Sequence, residues 1–364
     1  MHALLALEDG RIFRGRSFGD PEERGGEVVF CTAMTGYQEV LTDPSYHGQI
    51  VVFTAAQIGN YGIRDLHDES HRPWAVGLLV RDLAEVPSHP RSQAGLRDYA
   101  RRHGLFGITD VDTRDLTLHL RDRGALRGIC TTRIEDPDEA VQRARALPPI
   151  SERNLVADVT RDGAETRGDP DAPIRIVLLD YGAKESIARR LVALAGSVTI
   201  LPADATPARI DEVRPHGVVL SNGPGDPAAV PELIPAVRHC IERYPTLAIC
   251  LGHQLAGLAL GARTRKLAFG HHGANHPVEE VATGRVYVTA QNHNYAIDEA
   301  TLPPGTALTH RNLNDGTVEG FRHADLRLRS VQFHPEASPG PHEAAALFEE
   351  FVSEIAAGGA IGAA

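Results

Sequence analysis

The stretch "TLAICLGHQLAGLALG", residues 246–261, sets one cysteine where a short apolar run meets a glycine and then a second apolar run. "PTLAIC" reads as a strand buried on both faces. "HQLAGLALG" reads as a helix, apolar or small on most sides and hence buried. Cys250 therefore stands at a strand-to-helix corner. A lone cysteine after a strand is more often a small core hydrophobe than a nucleophile. The corner changes that weighing. A side chain at a sharp strand-to-helix turn is thrust outward, and the helix N-terminus behind it supplies partial positive charge and free N–H groups. Both favour thiolate, the nucleophilic form. The N–H of Leu251 would face an oxyanion forming on an attacked carbonyl. Cys31, Cys130 and Cys240 lack this setting and read as structural.

The surrounding rhythm is that of an α/β unit. "PIRIVLLDYG" (173–182), "SVTILP", "HGVVL" and "PTLAIC" are strands; "KESIARRLVAL", "PARIDEVRP" and "ELIPAVRHCIERY" are helices. Strand and helix alternating at these lengths predict a doubly wound, mostly parallel sheet. Ligands of such sheets bind at the carboxyl ends of the strands, where Cys250 falls. The first half mixes β-like stretches ("EVVFCTAMTG", "QIVVFTAAQIG") with helical ones ("SQAGLRDYARRHG", "DTRDLTLHLRDRGA"). It predicts a separate mixed α/β domain over residues 1–150. Residues 151–173, rich in Asp, Gly and Pro, read as a linker, 174–356 as the α/β domain, and 357–364 as a flexible tail.

Composition narrows the classes. The chain has 364 residues, 42% apolar and 23% charged, as in ordinary globular proteins. A net charge of −11 argues against nucleic-acid binding. No apolar run approaches the roughly 20 residues of a membrane span, and the N-terminus has no secretory pattern. Four cysteines without close pairing point to a reducing, cytoplasmic setting. Nearly all basic residues are Arg; only Lys184 and Lys266 are Lys.

A nucleophile needs a base. In "SVQFHPEASPG" (330–340), His334 and Glu336 are two apart, which in extended backbone puts both on one face. Pro335 restricts His334 to β or polyproline geometry. Glu336 could then fix the imidazole tautomer and leave the other nitrogen for the thiol proton. A His-Pro turn with a solvated Glu is the competing reading. The loop "LSNGPGDP" (220–227) exposes N–H groups at Gly223 and Gly225, a second oxyanion donor or an ordinary turn. It has no Lys-Ser/Thr and is not a phosphate loop.

The order strand–"NGPGDP", strand–"CLGHQ", then "QFHPE" resembles the triad-type, class I glutamine amidotransferases, which are flavodoxin-like. "FGHHGANHPV" (269–278), "VTAQNHNYAI" (288–297), "GYQEVLTDPSYHGQIVVFT", "GNYG", "DVDTRDLTLHLRDRGALRG" and "ISERNLV" resemble the small subunits of carbamoyl-phosphate synthases, over about residues 3–352. The resemblance implies that Cys250 attacks the side-chain amide of L-glutamine, giving a thioester and ammonia, and that water then releases glutamate. It implies His334 as base and then acid, Glu336 as its orienter, and Leu251 and Gly223 as oxyanion donors. It places glutamine at Ser45, Gly223, Gly225, Leu251, Gln254, Asn292, Asn294 and Tyr295, with Ser45 reaching in from the other domain. It implies a large synthetase subunit as partner, which would use ATP, Mg and bicarbonate to make carbamoyl phosphate for arginine and pyrimidine synthesis. No cofactor is implied in this chain.

Two departures from the family pattern stand out. Ala248 replaces a usual Gly, and "QNHNY" replaces a frequent "QNHGF", with Asn294 able to take the left-handed backbone a Gly would. Rival readings are a glutaminase subunit of another synthetase and a binding subunit without effective catalysis. A zinc hydrolase using His271, His272, His276, His293 and His334 is a further rival. "HHGANH" matches no specific ligand pattern, and no metal site is expected.

Overall fold

The computed structural model describes residues 1–20, 23–133 and 136–358, and the chain divides into two compact units. One comprises Met1–Arg153 with Leu267–Gly273; the other comprises Asn154–Lys266 with Ala274–Ala364.

In the N-terminal unit the strands are β1 (His2–Leu7), β2 (Ile12–Gly19), β3 (Arg24–Cys31), β4 (Gln49–Phe53), β5 (Gln57–Ile58), β6 (Gly77–Leu79), β7 (Asp82–Leu83), β8 (Phe106–Thr109) and β9 (Leu126–Thr131). Among the described residues, β1-β2-β8-β6-β4-β3-β9 close into a barrel, while β5 and β7 pair separately. The barrel mixes parallel steps (β3–β4, β4–β6, β6–β8) with antiparallel ones (β1–β2, β1–β9, β3–β9). Alternate residues such as Leu5, Leu7, Val28, Ile50, Val52 and Cys130 fill one core, as the period of two along a strand requires. Helices α1 (Tyr37–Thr42), α2 (Leu96–Arg102), α3 (Thr113–Arg123) and α4 (Pro137–Ala146) complete the unit. Asp112 and Asp136 cap α3 and α4 by accepting from backbone N–H groups.

The C-terminal unit contains α5 (Val156–Val159), β10 (Glu165–Gly168), β11 (Ile174–Asp180), α6 (Glu185–Ala195), β12 (Gly196–Pro202), α7 (Pro207–Val213), β13 (Gly217–Leu220), α8 (Ile234–Arg243), β14 (Thr246–Ile249) and α9 (Leu251–Ala259). There follow β15 (Thr264–Glu280), β16 (Arg285–Ile297), β17 (Thr306–Asn312), β18 (Val318–His323), β19 (Leu328–Val331) and α10 (Ala346–Ala356). Among the described residues, ten strands form one sheet in the order β10-β12-β11-β13-β14-β19-β18-β17-β15-β16. The steps from β12 through β11, β13 and β14 to β19 are parallel. The flanking steps β10–β12, β19–β18, β18–β17 and β17–β15 are antiparallel.

Successive residues of the central strands feed opposite cores. Val177, Leu179, Val218, Leu220 and Ala248 pack with Ile210, Val237, Leu255 and Ala256 of α7, α8 and α9. Ile176, Leu178, Val219, Leu247 and Ile249 pack with Ile187 and Leu191 of α6 and Phe348 and Phe351 of α10. This is why these strands read as continuous apolar runs rather than alternating ones. Pro235, which interrupts the pattern of "ELIPAVRHCIERY", falls in the first turn of α8, where its missing N–H has no intrahelical acceptor to lose.

The linker reading of 151–173 is corrected by the structure. Leu155, Val156, Val159 and Ala172 are buried, and β10 adds an edge strand to the sheet. Thr160 Oγ1 donates to the Asp180 carbonyl at 2.7 Å, and Arg161 Nε meets Asp180 Oδ2 at 2.9 Å. Polar residues are ordinary on an edge strand, which is why composition misled. The chain also returns once to the N-terminal unit. Ala125 N–H donates to Ala268 O at 2.7 Å, Thr32 N–H donates to His272 O at 3.0 Å, and Phe30 packs on Phe269 at 5.6 Å. A single cut in sequence could not represent that excursion. Of the expected tail, 359–364 lie outside the described residues. Among the described residues no helix is long and apolar enough to cross a membrane.

Candidate active site

The parallel strands β11, β13, β14 and β19 all end on one edge of the C-terminal unit. The residues that follow them, Tyr181–Lys184, Ser221–Gly225, Cys250–Leu251 and Gln332–Ala337, are therefore neighbours.

Cys250 joins β14 to α9 at φ 53° and ψ −104°, a conformation that a non-glycine residue adopts only when its surroundings enforce it. Here they do. Its N–H donates to Val331 O at the end of β19 (2.9 Å), and its carbonyl accepts from Gln254 N–H in the first turn of α9 (3.1 Å). Gly252 is required by close approach rather than by a special φ. A Cβ there would stand 2.4 Å from Leu220 O, and its N–H donates to Ser221 O at 3.0 Å. Ala248 is fully buried in the α9-side core.

His334 Nδ1 lies 2.6 Å from Glu336 Oε1, and both side chains are buried. The expectation of an extended stretch is not met. His334 pairs as an isolated bridge with Ala290, donating its N–H to Ala290 O at 2.9 Å, and the chain then turns. Ala337 N–H donates back to His334 O at 3.1 Å, with Pro335 in the second position of the turn, where its fixed φ is favoured. The turn, not strand alternation, brings Glu336 under the imidazole. Ala337 and Ser338 follow at φ 60° and 54°.

Lys184, which no sequence motif marks as functional, completes the charge arrangement. Its Nζ lies 3.0 Å from Glu336 Oε1 and also donates to Ala337 O. Asn222 holds the Lys184 backbone: its Oδ1 accepts from Lys184 N–H at 3.1 Å, and its Nδ2 donates to Gly182 O at 3.0 Å. Burial alone would raise the Glu336 carboxyl, but Lys184 and then His334 outweigh it and hold the group at about 2. Burial alone would lower the His334 imidazole, but the charges of Glu336 and Cys250 outweigh it and lift it to about 10. The site thus favours a protonated imidazole beside the sulfur. Cys250 Sγ lies 3.5 Å from Asn292 O, and His334 Nε2 is buried with no hydrogen-bond partner among the described residues.

The other cysteines differ in kind. Burial pushes the Cys31 and Cys130 thiols up, and that of Cys240 up to about 12. They are inert core residues.

The remaining sequence-derived positions distribute as follows. Leu251 is the first residue of α9, where a helix leaves its N–H without an intrahelical acceptor. Gly223 adjoins it: a Cβ on Gly223 would meet Tyr181 O at 2.2 Å and the Leu251 side chain at 2.8 Å. Gly225 takes φ 89°, which favours glycine. Gln254 Nε2 donates to Tyr295 O (2.8 Å) and Gln332 Oε1 (3.0 Å), tying α9 to β16 and to the approach to His334. Asn292, Asn294 and Tyr295 are buried residues of β16. Asn294 belongs to the strand and has no positive φ, so the left-handed backbone anticipated for it is not used. Ser45 belongs to the N-terminal unit, in the single turn Pro44–Tyr46, with its N–H bonded to Asp43 Oδ1 at 2.9 Å. Of the five histidines weighed as metal ligands, His271 and His272 belong to the N-terminal unit and His276, His293 and His334 to the C-terminal one.

Residues 177–354 match the family "Glutamine amidotransferase class-I", and residues 5–130 match "Carbamoyl-phosphate synthase small chain, CPSase domain". The chain is similar to the carbamoyl phosphate synthase small chain of Aquifex aeolicus, 46% identical over 363 residues that cover 96% of this chain and 98% of the relative. The small chain of Symbiobacterium thermophilum is 47% identical over 353 residues (96% and 97%), and that of Escherichia coli K12 is 45% identical over 371 residues (97% and 97%). On this similarity along nearly its whole length, the chain belongs to the carbamoyl phosphate synthase small chain family.

Proposed function

We propose that this chain hydrolyses L-glutamine to glutamate and ammonia, as the glutaminase chain of a carbamoyl phosphate synthase. The observation that carries the reading is the strained Cys250 corner beside a His334–Glu336 pair joined at 2.6 Å. The sulfur attacks the side-chain carbonyl carbon of glutamine, and negative charge gathers on the carbonyl oxygen. The N–H groups of Leu251 and Gly223 receive that charge. The tetrahedral species collapses to a Cys250 thioester as His334 gives its proton to the leaving ammonia. Water then attacks the thioester; His334 takes the water's proton, and glutamate leaves with the sulfur restored. Glu336 holds the imidazole and balances its charge, and Lys184 keeps Glu336 ionised.

Glutamine contacts are proposed at Gly223, Gly225, Leu251, Gln254, Asn292, Asn294 and Tyr295, and, on the resemblance alone, at Ser45. The ammonia passes to a large synthetase subunit, which uses bicarbonate, ATP and Mg to form carbamoyl phosphate in the cytoplasm. That product serves arginine and pyrimidine synthesis. We further infer that the C-terminal domain, about 174–356, is a doubly wound flavodoxin-like sheet preceded by a small-subunit domain at about 1–150. The two opposed cores of the central strands support this.

The test is to purify the chain with the large subunit of its own source and compare carbamoyl phosphate formation from glutamine and from free ammonia. Both should support synthesis, and loss of this chain should remove only the glutamine-dependent part. Equal glutamine-dependent synthesis without this chain would overturn the assignment.

A further inference from the structure

The C-terminal unit contains a cavity of about 440 Å³, lined by none of the residues of the candidate active site. Leu247 of β14 and Val331 of β19 line it, each three residues before a reacting group, Cys250 and His334 respectively. Leu308 of β17, Phe321 of β18 and Leu347 of α10 add apolar wall. A volume in this range, with apolar walls and a few polar groups, is that of a small-molecule site.

The polar lining is mostly satisfied within the protein. Arg329 NH1 pairs with Glu350 Oε2 at 2.8 Å, Thr283 Oγ1 donates to Glu280 Oε2 at 2.7 Å, and His310 Nδ1 lies 3.0 Å from Thr309 Oγ1. Burial holds the His310 imidazole down at about 4, so it is neutral at pH 7 and offers no charge. Arg322 differs. It is exposed at the cavity, and among the described residues its side chain has no ion-pair or hydrogen-bond partner. An arginine without a side-chain partner among the lining residues of a largely apolar chamber suits a carboxylate on an apolar body.

We propose that this cavity binds a small amphipathic carboxylate, with Arg322 at the carboxylate and Leu308, Phe321 and Leu347 around the body, and that its occupancy alters glutamine turnover. The route is short and covalent. A molecule against Leu247 and Val331 bears on the two strands whose next residues set the sulfur and the imidazole, and their relative position is what the reaction uses. The turnover half of the proposal rests on the glutaminase reading; the binding half does not.

The test titrates the full-length chain calorimetrically with phenylbutyrate and with its uncharged amide, phenylbutyramide. The acid should bind saturably at one site, and about tenfold more tightly than the amide, as one charge-assisted pair predicts. Arg322→Ser should erase that tenfold preference. Ala282→Trp, in the exposed turn at the cavity's edge, should abolish binding of both compounds. Saturating phenylbutyrate should change the glutamine KM or kcat by about fivefold in the wild type. It should do so in neither variant, while their basal turnover is unchanged. Absence of saturable binding, or binding insensitive to both variants, overturns the proposal. Binding without effect on turnover overturns its regulatory half. A chain that binds phenylbutyrate but hydrolyses no glutamine at all contradicts the proposed function instead.

Discussion

Glu336 Oε1 is shared: His334 Nδ1 lies 2.6 Å from it and Lys184 Nζ 3.0 Å, while Oε2 of the same carboxylate is buried with no hydrogen-bond partner from another described residue. One oxygen therefore serves two cationic donors, one fixed and one that, in the proposed mechanism, gains and loses its proton. Lysine suits this position because its ammonium is a compact point charge that can meet a single oxygen, where a guanidinium would demand two.

Lys184→Met removes the fixed partner from a buried pair. Breaking such a pair costs about 3–5 kcal/mol, and the remaining contact with His334 puts this case near the lower end. Urea unfolding at neutral pH measures it. The pH dependence has a definite sign. The folded-state Glu336 carboxyl, at about 2, lies below its ordinary 4.5, so its stabilisation is present above pH 4.5 and is lost as pH falls through 2. Without Lys184 the folded value rises, and acid unfolding should move to higher pH. An acid transition at the wild-type pH would mean that the ammonium does not act on Glu336.

Substitution within the His334–Glu336 pair separates base from orienter. His334→Asn removes the proposed proton carrier; Glu336→Gln keeps a hydrogen-bond acceptor and removes only the charge. Turnover should fall further in the first, by about tenfold or more relative to the second. The high value of His334, about 10, predicts that glutaminase activity declines on the alkaline side near pH 10. Its contribution to stability runs the same way, present below pH 6.5 and lost as pH rises through 10. Glu336→Gln takes away an anion that favours imidazolium, so the alkaline limb should move to lower pH. Equal losses in the two variants, with no movement of that limb, would reverse the assignment.

Cys250→Ser replaces the sulfur of the proposed nucleophile with a hydroxyl oxygen. A hydroxyl with this base is a far weaker nucleophile, and glutamine hydrolysis should drop by about 10³-fold or more. Ammonia-dependent synthesis by the assembled complex should persist, because that chemistry is assigned to the other subunit. Loss of both activities in a folded, assembled variant would refute the division of labour.

How much of the site is legible in sequence differs from residue to residue. Cys250, His334 and Glu336 are legible because each sits in a short motif whose local chain geometry is dictated by Gly or Pro. The reason for their proximity is not. A spacing of two suggests an extended strand, with Pro335 holding His334 in β geometry. What aligns His334 and Glu336 instead is a turn around Pro335, closed by the hydrogen bond from Ala337 N–H to His334 O. Lys184 escapes sequence reading because its partner Glu336 is far away along the chain and no local pattern marks it; its rarity in an Arg-rich chain is the available signal. The edge strand β10 escapes because exposed edge residues have no apolar rhythm, and the excursion of 267–273 because it is a tertiary event.

Gly252→Ala tests whether the corner depends on close packing. The added Cβ would lie 2.4 Å from Leu220 O, a backbone atom that cannot swing aside. Either α9 shifts or β13 does, at a cost of about 1–3 kcal/mol. A shift of α9 moves the Leu251 N–H as well, so kcat should fall more than the loss in thermal stability explains. Wild-type kcat in the alanine variant would show that the oxyanion donor is elsewhere.

Behind the site, Glu319 is a fully buried carboxylate with two amide partners. Asn312 Nδ2 donates to its Oε1 at 2.8 Å and Gln291 Nε2 to its Oε2 at 2.9 Å. Gln291 Oε1 in turn meets His293 Nε2 at 3.0 Å, and His293 Nδ1 lies 2.8 Å from Tyr295 O, on the strand that carries Asn292. The backbone of Glu319 also accepts from Gln332 N–H at 2.8 Å, two residues before His334. The carboxylate therefore fixes the side of β16 that faces the sulfur without touching the reacting groups. Glu319→Leu should strand both amide donors and cost about 1.5–3 kcal/mol for each bond to charge that is lost. Glu319→Gln keeps one oxygen acceptor and should recover most of the stability. If the carboxylate positions β16, the leucine variant raises the glutamine KM by at least about tenfold at temperatures where it remains folded, and the glutamine variant restores it. A leucine variant with reduced stability but unchanged KM would confine Glu319 to a structural role.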